Sequence, residues 1–225
     1  DGAQSEEEAL EMARAAVRDG IDAVIATPHH ANGRYDNKAG AVTEAVERMN
    51  RLLQNNGIPL TVLAGQEIRV TRGLFDDLDK GELLRLHHSP YMLLELPGDH
   101  VPEYFENWLY ELQILGITPI IAHPERNAKI ARNPELLYNW VREGALAQVT
   151  SHSVTGRYGM RLQKTVLEMC RRNLVHFVAT DAHNTGNRPF ALRDAYATIR
   201  DKIGAETADY FIDNARQIAA GIGLN

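Results

Sequence analysis

Six short apolar runs in this chain end at residues able to hold a metal ion, a phosphate or a proton. VIAT is followed by Pro28-His29-His30, VLAG by Gln66-Glu67, and MLLE closes on Glu95 itself. IIA gives way to His123, with Glu125 and Arg126 close behind, AQVT to Ser151-His152, and FVAT to Asp181-Ala182-His183. Imidazoles and carboxylates without a thiolate form a donor set for Mn, Fe, Zn or Mg, not for a cysteine-rich structural zinc site. Gathered in one pocket, these groups lose solvation and the carboxylates repel one another unless cations balance them, which itself argues for metal ions. One such residue is ordinarily a solvated turn. Six in the same position relative to their strands are not explained that way.

For these residues to meet, the runs must share a direction and an edge. Ser5 followed by Glu8 is a capping-box signature for a first helix that closes near Gly20. Helical stretches over residues 38–56, 104–116, 134–144, 160–173, 189–204 and 205–220 alternate with the apolar runs. That alternation predicts βα units and a parallel sheet. In a closed βα barrel the carboxyl ends of the strands converge on one face, where active sites form. No Pro/Gly/Ser-rich linker, low-complexity tract or repeat divides the 225 residues, so residues 1–225 read as a single α/β domain.

A net charge of −6 argues against a nucleic-acid footprint, which needs clustered Lys and Arg. No apolar run approaches the roughly 20 residues needed to span a bilayer, so no membrane insertion is expected. Cys170 is the only cysteine, and a reducing, cytoplasmic setting follows as the default. It lies in the helix-like VLEMCRRN, and the sixth residue after it is His176 rather than the arginine of a Cys-x5-Arg phosphate loop. A packed thiol is the reading. His87 and His88 read as solvated loop residues, His100 as a loop residue able to line a pocket rim and His176 as a packed one, while His30 and His152 stay open for a pocket role.

Together, ATPHH, AGQEI, LLELP, IIAHPERN, SHSVTGRYG and ATDAHN with the following TGNRP resemble the polymerase-and-histidinol-phosphatase (PHP) superfamily. More narrowly they resemble its bacterial protein-tyrosine phosphatases of capsule and exopolysaccharide operons, along essentially the whole chain. The resemblance implies a distorted, seven-stranded TIM-like (β/α) barrel holding three divalent metal ions, with Mn ahead of Fe, Zn and Mg. It matches Glu67 to a carboxylate bridging two ions, Glu95 and His123 to further ligands of one, and Asp181 to a ligand of the other. Asp1, His29 and His183 match the ligands of the third ion. Arg126 and Arg188 match phosphate-binding arginines. The family opens with a His-x-His strand ahead of the Asp-Gly seen here as Asp1-Gly2, so the first strand is expected to be missing from an N-terminally truncated chain.

The implied activity is hydrolysis of phosphotyrosine, with the tail of a bacterial tyrosine kinase controlling polysaccharide assembly as the partner. A tyrosyl oxygen, with a conjugate-acid pKa of about 10, leaves more readily than a serine alkoxide. His183 and His152 are the candidates for a general acid. Two other readings remain at this point: a small-molecule phosphatase of the histidinol-phosphate type, and a non-catalytic regulatory module with an incomplete metal site.

Overall fold

A computed structural model describes residues 1–224. The first helix, α1 (Glu6–Arg18), starts where Ser5 Oγ accepts the Glu8 N–H at 3.2 Å; the Glu8 carboxylate in turn accepts the Gln4 N–H at 2.7 Å. Two orphan amides are thereby satisfied. The longer helices are α2 (Ala39–Asn55), α4 (Phe105–Ile114), α6 (Glu135–Arg142), α8 (Met160–Arg171), α9 (Leu192–Lys202) and α10 (Ala205–Ala219). Three short helices, α3 (Leu74–Asp79), α5 (Ala128–Arg132) and α7 (Ser151–Thr155), were not anticipated. Each is less than two turns long, too short to register an apolar period.

Eight strands form among the described residues: β1 (Ala23–Ala26), β2 (His29–His30), β3 (Thr61–Ala64), β4 (Glu67–Arg69), β5 (Tyr91–Glu95), β6 (Thr118–Ala122), β7 (Leu146–Thr150) and β8 (Phe177–Ala179). The six expected runs become eight strands because the first two bend. Thr27-Pro28 separates β1 from β2, and Gly65-Gln66 separates β3 from β4, so His29 and Glu67 lie in strands of their own rather than past a strand end. Gly65 makes its bend against β1. A Cβ there would lie 2.7 Å from Ile25 Cγ2 and 3.1 Å from Leu86 Cδ2, closer than packed carbons approach.

All pairings are parallel, β1 with β3 in one sheet and β2-β4-β5-β6-β7-β8 in the other. The fold is therefore α/β with parallel sheets, its strands following one another in chain order. Hydrogen bonds do not join β8 to β1 or β2 among the described residues. The main core packs α4, α6, α8, α9 and α10 onto β5 to β8, with Trp140, Phe105 and Phe211 fully buried. A cavity of about 760 Å³ opens at the polar edge and runs inward past Ile25, Leu63, Leu93, Ile120 and Phe177.

His176 continues the sheet ahead of β8. Its N–H donates to Ala147 O at 2.9 Å, its ring Nδ1 accepts the Ala147 N–H at 3.1 Å, and its carbonyl accepts from Asn214 Nδ2 on α10 at 2.9 Å. It is the packed residue the sequence suggests. Burial pushes its pKa down from 6.5 to about 4. A base with a depressed folded pKa contributes stability that is fully present above pH 6.5 and is lost as pH falls from 6.5 to 4, since only the unfolded chain takes up the proton. The loss is on the order of 3 kcal/mol at about 1.4 kcal/mol per unit. His176→Asn keeps an acceptor without a titration. Its denaturation free energy is expected to fall less than the wild type's between pH 6.5 and 4, and parallel losses would refute this account.

Candidate metal centre

The polar ends of the strands meet on one edge. Glu67 in β4 is buried, with each carboxylate oxygen toward a different imidazole: Oε1 is 2.9 Å from His123 Nε2, and Oε2 is 3.0 Å from His29 Nδ1. Glu95, ending β5, lies 3.6 Å from His29 Nδ1 and 3.9 Å from His123 Nε2. A second group adjoins the first through His29, whose Nε2 is 3.6 Å from Asp1 Oδ2. The same Asp1 oxygen is 3.2 Å from His183 Nε2. Burial alone would raise the Glu67 carboxyl, but the two imidazoles beside it outweigh burial and hold the group well below the usual carboxylate range. The adjacent Glu67 carboxylate raises His29 against the effect of burial, and at His123 burial works against protonation but Glu67 again prevails.

These residues fit divalent ions. Ligand distances of about 2.0–2.2 Å place neighbouring donor atoms about 3.0–3.5 Å apart, close to the spacings seen here. Glu67, with one oxygen to each side, has the geometry of a bridging carboxylate. His29 Nδ1 is buried among carboxylates yet has no aligned hydrogen bond, a state that suits a ligand atom better than a satisfied core histidine. The residue lies between the two groups, whereas the sequence reading placed it with Asp1 and His183 alone.

Asp181 completes the set. Its Oδ2 accepts from Arg126 Nη1 at 2.6 Å and also from Arg188 Nη2, while Oδ1 faces His183 Nδ1 at 3.7 Å. His183 Nδ1 is 2.9 Å from the Asp181 carbonyl, which leaves Nε2 toward Asp1. His123 (φ 31°) and Asp181 (φ 52°) both sit in the left-handed region. This region is sparsely used except by Gly, Asn, Asp and His, and strain of this kind concentrates at functional sites. In both cases the turn falls just after a strand and directs a polar side chain across the edge. All nine predicted residues thus form one connected constellation.

Their neighbours have other tasks. His30, adjacent to His29 in a strand and so on its opposite face, has Nδ1 3.1 Å from the Asn37 carbonyl and Nε2 3.5 Å from Asp77. Glu125 points away from His123: its buried carboxylate accepts the Thr150 N–H at 3.0 Å and the Thr150 hydroxyl at 3.2 Å, tying the ends of β6 and β7 together. His152 is buried in α7 beside Tyr158, at 5.4 Å between ring centroids, and among the described residues makes no hydrogen bond or ion pair with the carboxylate cluster. Burial, then Arg157 and Arg188, lower its pKa. Sequence reasoning missed two participants. Arg69 Nε and Nη2 hold Glu95 Oε2 at 3.0 and 2.9 Å; its signal was its place two residues after Glu67, on the same strand face. Tyr35 lies nearly parallel to the His29 ring, 6.2 Å between centroids, and nothing in its polar loop announced it.

A family model described as capsular polysaccharide synthesis, CpsB/CapC, matches residues 1–220. The chain belongs to the CpsB/CapC family. Tyrosine-protein phosphatase YwqE of Bacillus subtilis is 47% identical over 215 residues, covering 96% of this chain and 85% of that protein. Tyrosine-protein phosphatase CpsB of Streptococcus pneumoniae is 29% identical, covering 97% and 92%. A solved structure from work on YwqE of B. subtilis and CpsB of S. pneumoniae, described as unique metal-dependent tyrosine phosphatases, superposes with a TM-score of 0.96. It shares 45% identity and covers 100% of this chain and 91% of that one. The fold shared with that structure thus extends over the whole described chain, candidate site residues included.

Glu67→Gln is expected to remove most bound divalent metal while the protein stays folded. An amide lacks the charge that two ions would share, yet matches the carboxylate in shape. Metal analysis after equilibration with Mn, alongside circular dichroism, checks this; a variant with wild-type metal content excludes Glu67 as a bridge.

Proposed function

We propose that the chain is a metal-dependent protein-tyrosine phosphatase of the PHP type, acting on the phosphotyrosine tail of a bacterial tyrosine kinase that controls capsule or exopolysaccharide synthesis. The observation that carries this reading is the convergence of Arg126 and Arg188 on Asp181, directly beside the Glu67 cluster. An anion-binding pair thereby adjoins a cation-binding centre, as hydrolysis of a phosphate monoester requires. The tyrosine-phosphatase names of the relatives support the substrate class, and the capsule description of the family supports the setting. The reading includes a single domain in a distorted seven-stranded barrel and three divalent ions, Mn foremost. No helix among the described residues is long and apolar enough to cross a membrane.

In this reading Glu67, Glu95, His123 and Asp181 hold two ions, and Asp1, His29 and His183 hold a third. When bound, such ions supply Lewis acidity to phosphoryl oxygens and lower the pKa of water to near neutral. The chain supplies the rest. Arg126 and Arg188 release part of their hold on Asp181 and grip the non-bridging phosphate oxygens with charge-assisted hydrogen bonds, setting the phosphorus for in-line attack. His183 has both ring nitrogens committed, to the Asp181 carbonyl and toward Asp1, so it positions an ion rather than donating a proton to the leaving tyrosyl oxygen. Cys170 takes no part: it is buried in α8, and burial pushes its thiol up to about 12.

The deciding experiment offers phosphotyrosine peptide, phosphoserine peptide and histidinol phosphate to the Mn-loaded protein. Preferential hydrolysis of phosphotyrosine is expected; preference for histidinol phosphate would favour a small-molecule enzyme, and no hydrolysis a regulatory module. Activity is expected to fall on chelation, and to survive both Cys170→Ser and thiol alkylation. The reverse pattern would overturn the metal mechanism. Arg126→Ala is expected to lower kcat/KM about 10²–10³-fold with metal content near normal, and Arg126→Lys to rescue only partly, because a point charge cannot reproduce a fork. Collapse of metal content in Arg126→Ala would place the guanidinium in ion retention instead.

A further inference from the structure

Beside the metal centre, on the far side of Arg69, lies an open groove. Arg69 forms its inner wall with the same guanidinium that holds Glu95. A second wall is Ala31–Gly33, directly after the strand that carries His29. Buried Val70 and Val101 floor it, and Arg72, Lys129 and Glu103 stand at its rim.

Three features mark this groove as a built surface. First, it is locally cationic in a chain of net charge −6. Arg72 and Lys129 are exposed, and neither has a carboxylate partner among the described residues, whereas Arg69, Arg126 and Arg188 are all paired. Second, Arg72 is held in place. Its guanidinium lies 4.9 Å above the Tyr104 ring, which itself packs on Trp108 at 4.3 Å, so a cation–π contact orders the charge without neutralising it. Third, the wall formed by residues 97–100 is rigid. Asn127 Nδ2 donates to the carbonyls of Pro97 (2.6 Å) and His100 (2.9 Å), and Ala128 N–H donates to Gly98 O at 2.8 Å. Asn127 directly follows Arg126, which couples the groove to the phosphate-handling arginine.

We propose that this groove binds acidic side chains flanking the phosphotyrosine of the substrate, with Arg72 and Lys129 as the receiving cations; the proposal rests on the phosphatase reading above. An extended peptide whose phosphate lies at Arg126 and Arg188 can cross the rim of the candidate metal centre, place apolar atoms against the half-buried Pro97 and Pro102, and present carboxylates to the two free cations. Exposed charge pairs of this kind contribute more to selectivity and encounter than to raw affinity. Their effect therefore appears in KM and weakens with salt.

The test uses the Mn-loaded wild type and the double variant Arg72→Gln/Lys129→Gln, with three substrates: p-nitrophenyl phosphate, a phosphotyrosine peptide with glutamates on both sides, and the same peptide with glutamines. The wild type is expected to favour the glutamate peptide about fivefold to tenfold in kcat/KM, through KM, with the preference shrinking at high ionic strength. The variant is expected to treat both peptides alike and to hydrolyse p-nitrophenyl phosphate at the wild-type rate. Equal use of the two peptides by the wild type, or a preference that survives in the variant, overturns the groove while leaving the phosphatase reading intact. Failure of the wild type to hydrolyse any of the three removes both.

Discussion

The metal centre depends on one buried carboxylate. Glu67 sits in a strand with its backbone committed to the sheet, and its two oxygens can be satisfied only by groups that the neighbouring strand ends deliver. An ionised carboxylate out of water is costly unless it is paired. His29 arrives from β2 on one side and His123 from beyond β6 on the other. Remove either imidazole and the carboxylate is left half compensated. In the proposed phosphatase, the two oxygens that face different histidines would each be free to serve a divalent ion. One requirement, a partner for each Glu67 oxygen, therefore fixes the relative placement of β2, β4 and β6.

The chain order of the strands makes that placement inexpensive. With all pairings parallel and the strands of each sheet in chain order, the carboxyl ends lie on the same edge. The two bends then adjust depth. β1 and β3 run together for four residues before Pro28 and Gly65 turn them, and the chain resumes as β2 and β4 with His29 opposite Glu67. Without the bends, the period-two alternation of a continuous strand would fix which face His29 shows. With them, it faces the carboxylates while His30 secures the adjoining loop through Asn37.

How much of this was legible in the sequence follows from the range over which each signal acts. The βα alternation, the parallel sheet and the strand-end residues His29, Glu67, Glu95, His123, Asp181 and His183 were readable because apolar runs followed by His, Glu or Asp are local patterns that recur; Arg126 stood close behind one such run, whereas Asp1 and Arg188 came only through the family resemblance. The bends were not. Pro28 and Gly65 look like ordinary punctuation, and only the approach of Ile25 to Gly65 gives the bend its reason. The short helices α3, α5 and α7 were invisible because their formation rests on tertiary contacts rather than on a period. Arg69 was overlooked because its partner, Glu95, is 26 residues away. Glu125 looked like a member of the site through its neighbours His123 and Arg126, yet a 3₁₀ turn rotates it onto Thr150. Within a three-residue turn, adjacency in sequence says little about the direction a side chain takes.

Asp181 shows how one carboxylate can serve both halves of the site. Its Oδ2 already receives Arg126 and Arg188, so that oxygen has little electron density left for a cation. Oδ1 faces His183 and has no guanidinium on it. In the proposed phosphatase the division would leave one oxygen for an ion, while the other holds the two arginines beside it. An incoming phosphate dianion offers those arginines more negative charge than a single shared carboxylate oxygen does, so exchange from Asp181 to phosphate is electrostatically downhill. It also frees Oδ2 as the substrate arrives. In the proposed phosphatase the arginines would thus be held next to where they act, on a residue of the proposed cation-binding set. The left-handed backbone of Asp181 lies at the turn from which its carboxylate meets both arginines and His183.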